Sequence, residues 1–193
     1  MIELKYPFDE KQIRALKAGD AVSITGPIHT GRDKFHKWFA DGNPIEVDFR
    51  DGALYHCGPV IVKDGDGWAV KAAGPTTSVR ENPYEPAFIA KSGVRIIIGK
   101  GGMDAATLAA MKKYGCVYIQ AVGGAAALSA AALRKVTGVS YLEEFGAAEA
   151  CWHFDAKGFT GVVGMDAHGT SLFAQVEASS KKRLQDLLKG GVK

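Results

Sequence analysis

Three hydroxyls in a row follow a rigid turn at Gly74-Pro75-Thr76-Thr77-Ser78, and Arg80 stands just beyond them. Further on, the apolar run Val94 to Ile98 leads into Gly99-Lys100-Gly101-Gly102, ahead of a helix-like segment. Glycines after a buried strand let a ligand approach the backbone, and N–H groups at a helix N-terminus point at anions. Lys100 adds a full positive charge there. Taken separately, each feature has an ordinary role: the glycines make a tight strand-to-helix turn, and Ser/Thr runs cap helices or satisfy loop backbone. Together, with Arg80 and Lys100, they point to a site for a small anion. These residues complete neither G-x-x-x-x-G-K-[ST] nor G-x-G-x-x-G, so the common nucleotide signatures do not apply.

The elements that must position these residues can be read from apolar spacing. Phe8, Ile13 and Leu16 mark a short helix ending at Gly19, and Ala21 to Thr25 alternates as a strand. Gly26 to Gly31 reads as a turn, with Thr30 as a candidate N-cap for a helix over Arg32 to Ala40. Phe35, Trp38 and Phe39 form that helix's apolar face, and Arg32 and His36 are neighbours one turn apart. By themselves, Arg32 reads as a solvated arginine and His36 as a surface or half-buried histidine. Ile45, Val47 and Phe49 alternate as a strand, continued by Ala53 to Cys57. Asp64-Gly65-Asp66-Gly67 joins Pro59–Val62 to Trp68–Ala72 as a hairpin whose second arm delivers the Gly74–Arg80 loop. A polar loop broken at Asn82-Pro83-Tyr84-Glu85-Pro86 precedes the strand Val94–Ile98.

The second half reads as strand, turn and helix twice over: Ile96–Ile98 then Asp104–Tyr114, and Val117–Val122 then an alanine-rich helix Ala125–Val136. That order implies parallel pairing with right-handed crossovers. Tyr141–Phe145 reads as irregular, Cys151–Phe154 and Phe159–Met165 as strands, Asp166–Gly169 as a turn and Ser171–Phe173 as a short strand. An amphipathic helix is expected over about 176–189, closing a single domain over 1–193. The fold class is α/β, a mixed sheet with a β-rich first half and a βαβα second half.

Composition narrows the function. A net charge of +3 is too mild to argue for nucleic acid, and no apolar run reaches the length that spans a membrane. Met1 to Lys5 lacks a signal peptide's apolar core, and Cys57, Cys116 and Cys151 are too far apart for a C-x-x-C or a disulfide framework. A reducing, cytoplasmic protein is expected.

With these motifs located, the chain resembles the β subunit of the two-chain class I fumarate hydratases and L-tartrate dehydratases. The resemblance rests on Thr30-Gly31-Arg32-Asp33-Lys34-Phe35-His36, Gly58-Pro59-Val60, Ala73 to Arg80, Ile98 to Gly102 and Tyr141 to Gly146, with Asp166-Ala167-His168-Gly169 as the late turn. It implies a swivelling β/β/α fold and a reversible hydro-lyase acting on fumarate and L-malate. The alternatives are L-tartrate dehydration and a non-catalytic dicarboxylate-binding domain. It further implies a four-iron, four-sulfur (4Fe-4S) cluster held by three cysteines of a partner α subunit, in an α2β2 heterotetramer. Nothing in this chain's cysteine spacing suggests cluster ligation, and Cys151-Trp152-His153 reads as strand packing. By the resemblance, Arg32, Arg80 and Lys100 bind substrate carboxylates, with Gly99 and Gly101 in the same turn. Thr76, with Thr77 and Lys100, transfers the proton, and His36 matches a family histidine with no assigned role. Ala147 to Cys151 departs from the family, which bears on local loop shape rather than on the site.

Overall fold

In the computed structural model, which describes residues 1–189, the chain opens with strand β1 (Ile2–Lys5) and helix α1 (Glu10–Ala15). Residues 190–193, the end of the expected single domain, lie outside the described residues. The Asp9 side chain caps α1, accepting from the Gln12 amide at 2.8 Å, which satisfies one of the helix's orphan donors. Strand β2 (Ala21–Thr30) is twice the length expected. It runs on through Gly26-Pro27 with a register shift instead of turning there. Thr30 is consequently not an N-cap. Its hydroxyl donates to the Ala150 carbonyl at 3.2 Å and accepts from the Trp152 amide at 2.9 Å, stitching β2 to a later strand.

Helix α2 (Asp33–Ala40) follows, with Phe35 and His36 buried. The alternating stretch 45–49 is not a strand. Ile45, Val47 and Phe49 pack into an apolar cluster without a strand partner, and β3 is only Ala53–Tyr55. The hairpin β4 (Val60–Asp64) and β5 (Gly67–Ala72) forms as expected, with Asp64 opposite Gly67. Where a polar loop was expected, a 3-10 turn (Ser78–Glu81) leads into helix α3 (Glu85–Ser92). Pro86 is tolerated because it sits in the first turn, where its missing N–H has no partner to lose.

β6 (Ile96–Gly99) is buried over its whole length. Ile96 and Ile98 join one apolar core and Ile97 a second, as strand alternation requires. Each such side chain contributes roughly 1.5–3 kcal/mol by burial. Helix α4 (Ala105–Tyr114) then returns the chain to β7 (Val117–Gln120), which is parallel to β6. The second strand–helix unit is shorter than expected. Helix α5 stops at Ala126–Ala132, and Leu133–Ser140 is strand β8 rather than more helix. After the one-turn helix α6 (Leu142–Phe145), the two late strands prove to be a single strand of 15 residues, β9 (Cys151–Met165). Ser171 makes only an isolated bridge to Met165, and helix α7 (Leu172–Lys189) begins earlier than expected.

β1, β2, β3, β6 and β7 pair in parallel in that order. β9 is antiparallel to β7 at one end and to β2 along most of its length. The mixed sheet therefore closes on itself through β2, β3, β6, β7 and β9, with β1 and β8 alongside. The βαβα reading of the second half is corrected accordingly: its first unit is parallel, whereas the second ends in β8, antiparallel to β9. One core contains Ile28, Tyr55, Ile98, Ile119 and Phe159. The second contains Phe35 of α2, Phe88 of α3, Met111 of α4 and Ile97 from the other face of β6. Among the described residues no helix is long and apolar enough to cross a membrane.

Candidate active site

The Gly74–Arg80 segment is fastened to two others by its backbone. The Thr76 amide donates to the His56 carbonyl at 2.7 Å, Ser78 to the Lys100 carbonyl at 3.0 Å, and Lys100 back to the Thr76 carbonyl at 3.4 Å. Bridges pair Cys57 with Pro75 and Thr77 with Lys100. Arg32 joins from the start of α2. A Cβ at Gly58 would come within 2.5 Å of both Arg32 Nη1 and the Ala148 carbonyl, so that glycine makes room for the guanidinium. Thr76, Thr77 and Lys100 thus meet, and Arg32 stands against Gly58, the residue after the Cys57 that bridges Pro75. Thr77 and Arg80 are exposed, and Arg32, Thr76 and Lys100 are half-buried. Val79, Val122 and Leu128 are 53%, 66% and 75% exposed. Val122 and Leu128 flank this face, because the Ala73 amide donates to the Ala126 carbonyl and Gly123 lies against the Lys100 side chain.

The three cations differ in what they already hold. Arg32 donates from Nη1 to the Ala148 carbonyl at 3.1 Å and places Nη2 3.3 Å from Glu149. The Ala147–Cys151 loop, expected to matter only for local shape, therefore supplies both partners of Arg32. Arg80 presents its fork to Asp33, with Nε 3.0 Å from one carboxylate oxygen and Nη2 on the other. Lys100 makes no ion pair among the described residues. An incoming carboxylate can meet Lys100 directly, whereas at Arg80 it must share the guanidinium with Asp33 or displace it.

The glycine turn does not offer the amides that the sequence suggested. Gly101 N–H donates to the Gln120 side chain at 3.1 Å and Gly102 N–H to the Tyr118 hydroxyl at 3.4 Å. The N-terminus of α4 is capped by the Asp104 carboxylate, which accepts from Thr107 at 2.9 Å and puts a negative charge where an anion would sit. Gly99 is needed for clearance, because a Cβ there would overlap Ser78 Oγ and stand 3.2 Å from His56 Nδ1.

Beneath this face His36, His56, Ser78, Glu81 and Glu85 are fully buried. His56 Nδ1 lies 2.9 Å from Ser78 Oγ, which is 2.9 Å from the Tyr118 hydroxyl. His56 Nε2 is 3.2 Å and His36 Nε2 3.0 Å from the same oxygen of Glu85. The His36 contact has the geometry of an ion pair rather than an aligned hydrogen bond, since Nε2 has no hydrogen-bond partner. Burial pulls the His36 imidazole down, but Glu85, Glu81 and the Arg32 carbonyl outweigh it and raise its pKa. Burial likewise opposes ionisation of Glu85, yet His36 and His56 hold it at about 2. Burial lowers His56 and pushes Glu81 up to about 7. Among these residues His36 and, as the last of the hydroxyl run, Ser78 were singled out in the sequence. His56 is hidden between Tyr55 and Cys57, Glu85 lies in a segment read as a break, and Tyr118 looks like one more apolar strand residue.

The chain's residues do not fit a 4Fe-4S cluster. Cys57 follows β3, Cys116 precedes β7 and Cys151 begins β9, and all three are buried. Burial pushes the Cys57 thiol up to about 12 and raises the other two as well, away from the thiolate that ligation needs. Among the described residues the grouping able to hold a metal ion is His36, His56 and Glu85, with no cysteine.

The family described as Fumarase C-terminus matches residues 1–176. A Geobacillus stearothermophilus protein named for class I fumarate hydratase is 51% identical over 185 residues, which is 95% of this chain and 36% of that protein. The chain therefore spans about a third of the length of that relative. A Methanocaldococcus jannaschii protein named for the β subunit of L(+)-tartrate dehydratase is 35% identical, over 96% of this chain and 99% of its own length. The Escherichia coli L(+)-tartrate dehydratase subunit beta is 32% identical, over 89% of this chain and 86% of its own length.

Proposed function

Because the chain belongs to the Fumarase C-terminus family, we propose that it is the β subunit of a two-chain hydro-lyase interconverting fumarate and L-malate. The observation that carries this reading is the meeting of Thr76, Thr77 and Lys100 on an open face with Arg32 beside them. A four-carbon dicarboxylate is a dianion, and several cations are needed to draw it out of water. Lys100 offers an ammonium with no competing ion pair among the described residues, and Arg80 a guanidinium shared with Asp33. In the direction of dehydration Thr76, ionised to its alkoxide, takes the proton from the carbon next to a carboxylate and becomes a hydroxyl, as the hydroxyl on the neighbouring carbon leaves. In hydration it returns that proton. A threonine hydroxyl is a poor base unless nearby cations lower its pKa, and Lys100 and Arg80 are the cations at hand. The same charges stabilise the carboxylate as negative charge develops on it.

On this reading the domain is the swivelling β/β/α half of an α2β2 assembly. The cluster then belongs to the α subunit, since nothing in this chain fits it. The exposed Val79, Val122 and Leu128 supply apolar contact for a partner that closes the site. Three buried, unpaired cysteines suit a reducing, cytoplasmic setting. L-tartrate is the second reading, favoured by the near-complete coverage of the two relatives named as tartrate dehydratase β subunits. The test is anaerobic co-expression with a chain carrying three cluster cysteines, followed by assays on malate, fumarate and tartrate. Turnover of malate and fumarate above tartrate is expected. Turnover of tartrate alone selects the second reading, and binding without turnover of any of the three removes both.

A further inference from the structure

The buried polar groups beneath the site form one connected set, and elimination fixes the direction of each hydrogen bond. The Gly102 amide can only donate, and it points at the Tyr118 oxygen at 3.4 Å. Tyr118 then sends its proton to Ser78 Oγ, Ser78 sends its own to His56 Nδ1, and His56 donates from Nε2 to Glu85. The reverse order would turn the Tyr118 proton against the Gly102 N–H. From the other side, the Arg32 carbonyl can only accept, so His36 Nδ1, 2.8 Å away, carries a proton. His36 Nε2 stands 3.0 Å from the Glu85 oxygen that His56 also uses. The contact is off the line of a hydrogen bond, and at that distance a charged ring beside the carboxylate makes it an ion pair. Glu85 is the weaker base of the two, which puts the proton on His36.

Glu85 is therefore the common end of two strings. One runs through His36 to the Arg32 carbonyl at the head of α2. The other runs through His56 and Ser78, the residue after Thr77, to Tyr118 and the glycine turn after Lys100. We propose that Glu85, acting through His36 and His56, is the positioning centre of the site, fixing Arg32, the Thr76–Thr77 pair and Lys100 relative to one another without touching substrate. This rests on the hydro-lyase reading for what is positioned, but not for the protonation states. The groups facing His36 are Glu81 at 3.4 Å from the 3-10 turn, Glu85 from α3, His56 after β3 and the Arg32 carbonyl, with the rings of Phe35, Tyr84 and Phe88 closing the shell. The absence of a Cβ at Gly99 leaves room for the second string.

Nitrogen-15 NMR of the histidine-labelled full chain reads each ring nitrogen without requiring turnover. At pH 7 the wild type is expected to show a doubly protonated buried imidazole, identified as His36 by its loss in His36→Gln. His56, identified by His56→Gln, should be neutral with its proton on Nε2. Glu85→Gln should leave His36 neutral, while Tyr118→Phe, which keeps every charge and nearly all the volume, should leave it charged. In the assembly with the α subunit, Tyr118→Phe cuts only the string to the glycine turn. It should lower kcat by about tenfold or more with KM close to wild type. Glu85→Gln removes the charge at the common end of both strings and should raise KM as well. If Glu85→Gln does not fold, the wild-type ring states and Tyr118→Phe decide the matter. A neutral wild-type His36, a stoichiometric divalent ion retained on His36, His56 and Glu85, or wild-type kcat in Tyr118→Phe would overturn the proposal. A wild-type assembly that turns over no dicarboxylate would overturn the hydro-lyase reading, and with it the positioning of an active site, whatever the ring states show.

Discussion

Thr76 and Lys100 are locked together through their backbones, yet their side chains have separable roles. Thr76→Ala should abolish exchange of the substrate's carbon-bound proton with solvent while leaving dicarboxylate binding nearly intact, as read by isotope exchange and by calorimetry in the assembled enzyme. Wild-type exchange in that variant would make the hydroxyl positional. Lys100→Ala should cost roughly 2–4 kcal/mol of transition-state stabilisation, mostly in kcat, if its charge answers charge that develops only during reaction. An effect confined to KM would instead make Lys100 a ground-state anchor. Glu81 permits a test on the chain alone. Its carboxyl is raised to about 7 by burial, with Asp33 and Glu85 adding to the rise and His36 and Arg80 opposing it. A raised carboxyl contributes stability that is fully present below its unfolded pKa, near 4.5, and lost as pH rises through about 7. Glu81→Gln should remove this part of the alkaline loss, on the order of 1–3 kcal/mol between pH 5 and 9. Urea midpoints at the two pH values measure it. An alkaline decline as steep in Glu81→Gln as in wild type would assign the whole loss to His36, whose raised pKa has the same sign.

At the scale of elements, Gly99 at the end of β6 shows how tightly the segments fit. Its backbone does not need positive φ, so the objection to a side chain is steric. Gly99→Ala would drive a methyl into Ser78 Oγ. It should cost about 1–3 kcal/mol by overpacking and lower activity through the displaced Ser78, whereas Gly101→Ala meets only the Thr77 methyl at an ordinary 3.8 Å, with the strain of φ +85°. Thermal melts that rank the two the other way would mean that the turn, not the packing, constrains this corner. What was legible in the sequence follows the same division. β6, the β4–β5 hairpin and α4 were readable because apolar run, turn residues and N-cap agree locally. β8 was not, since alanine continues to favour helix up to Leu133 while β9 offers a strand partner from there on. β9 looked like two strands because Asp155, Lys157 and Gly158 interrupt its apolar pattern. The pairing of Asp155 and Ala156 with both β2 and β8 holds it straight through. The site's exposed residues were named from motifs, but their supports His56, Glu85 and Glu149 are far apart in sequence, and only the folded sheet brings them beneath Arg32 and Ser78.

Across the whole molecule, the closed sheet and α7 stand in different relations to stability. Ring closure puts β2 and β9 in contact along register pairs from Ala21–Val162 to His29–His153, so the second strand and the last depend on each other. α7 makes no comparable commitment. None of its residues is buried, and beyond Phe173, which packs edge-on against Tyr118 with ring centres 5.8 Å apart, it projects exposed Val176, Leu184, Leu187 and Leu188. Its Glu177–Lys181 pair is solvent-exposed and adds little. The family match also ends at residue 176, where the helix leaves the body. A chain ending at Val176 keeps Leu172 and Phe173, and with them the cover over Gly102 and Gly164. It should unfold in one cooperative transition with Tm within about 2–4 °C of the full chain, as calorimetry of the two proteins would show. A drop of about 10 °C or more would mean that the helix shields part of the sheet, whereas an unchanged Tm with weakened assembly would assign α7's apolar face to a partner rather than to the fold.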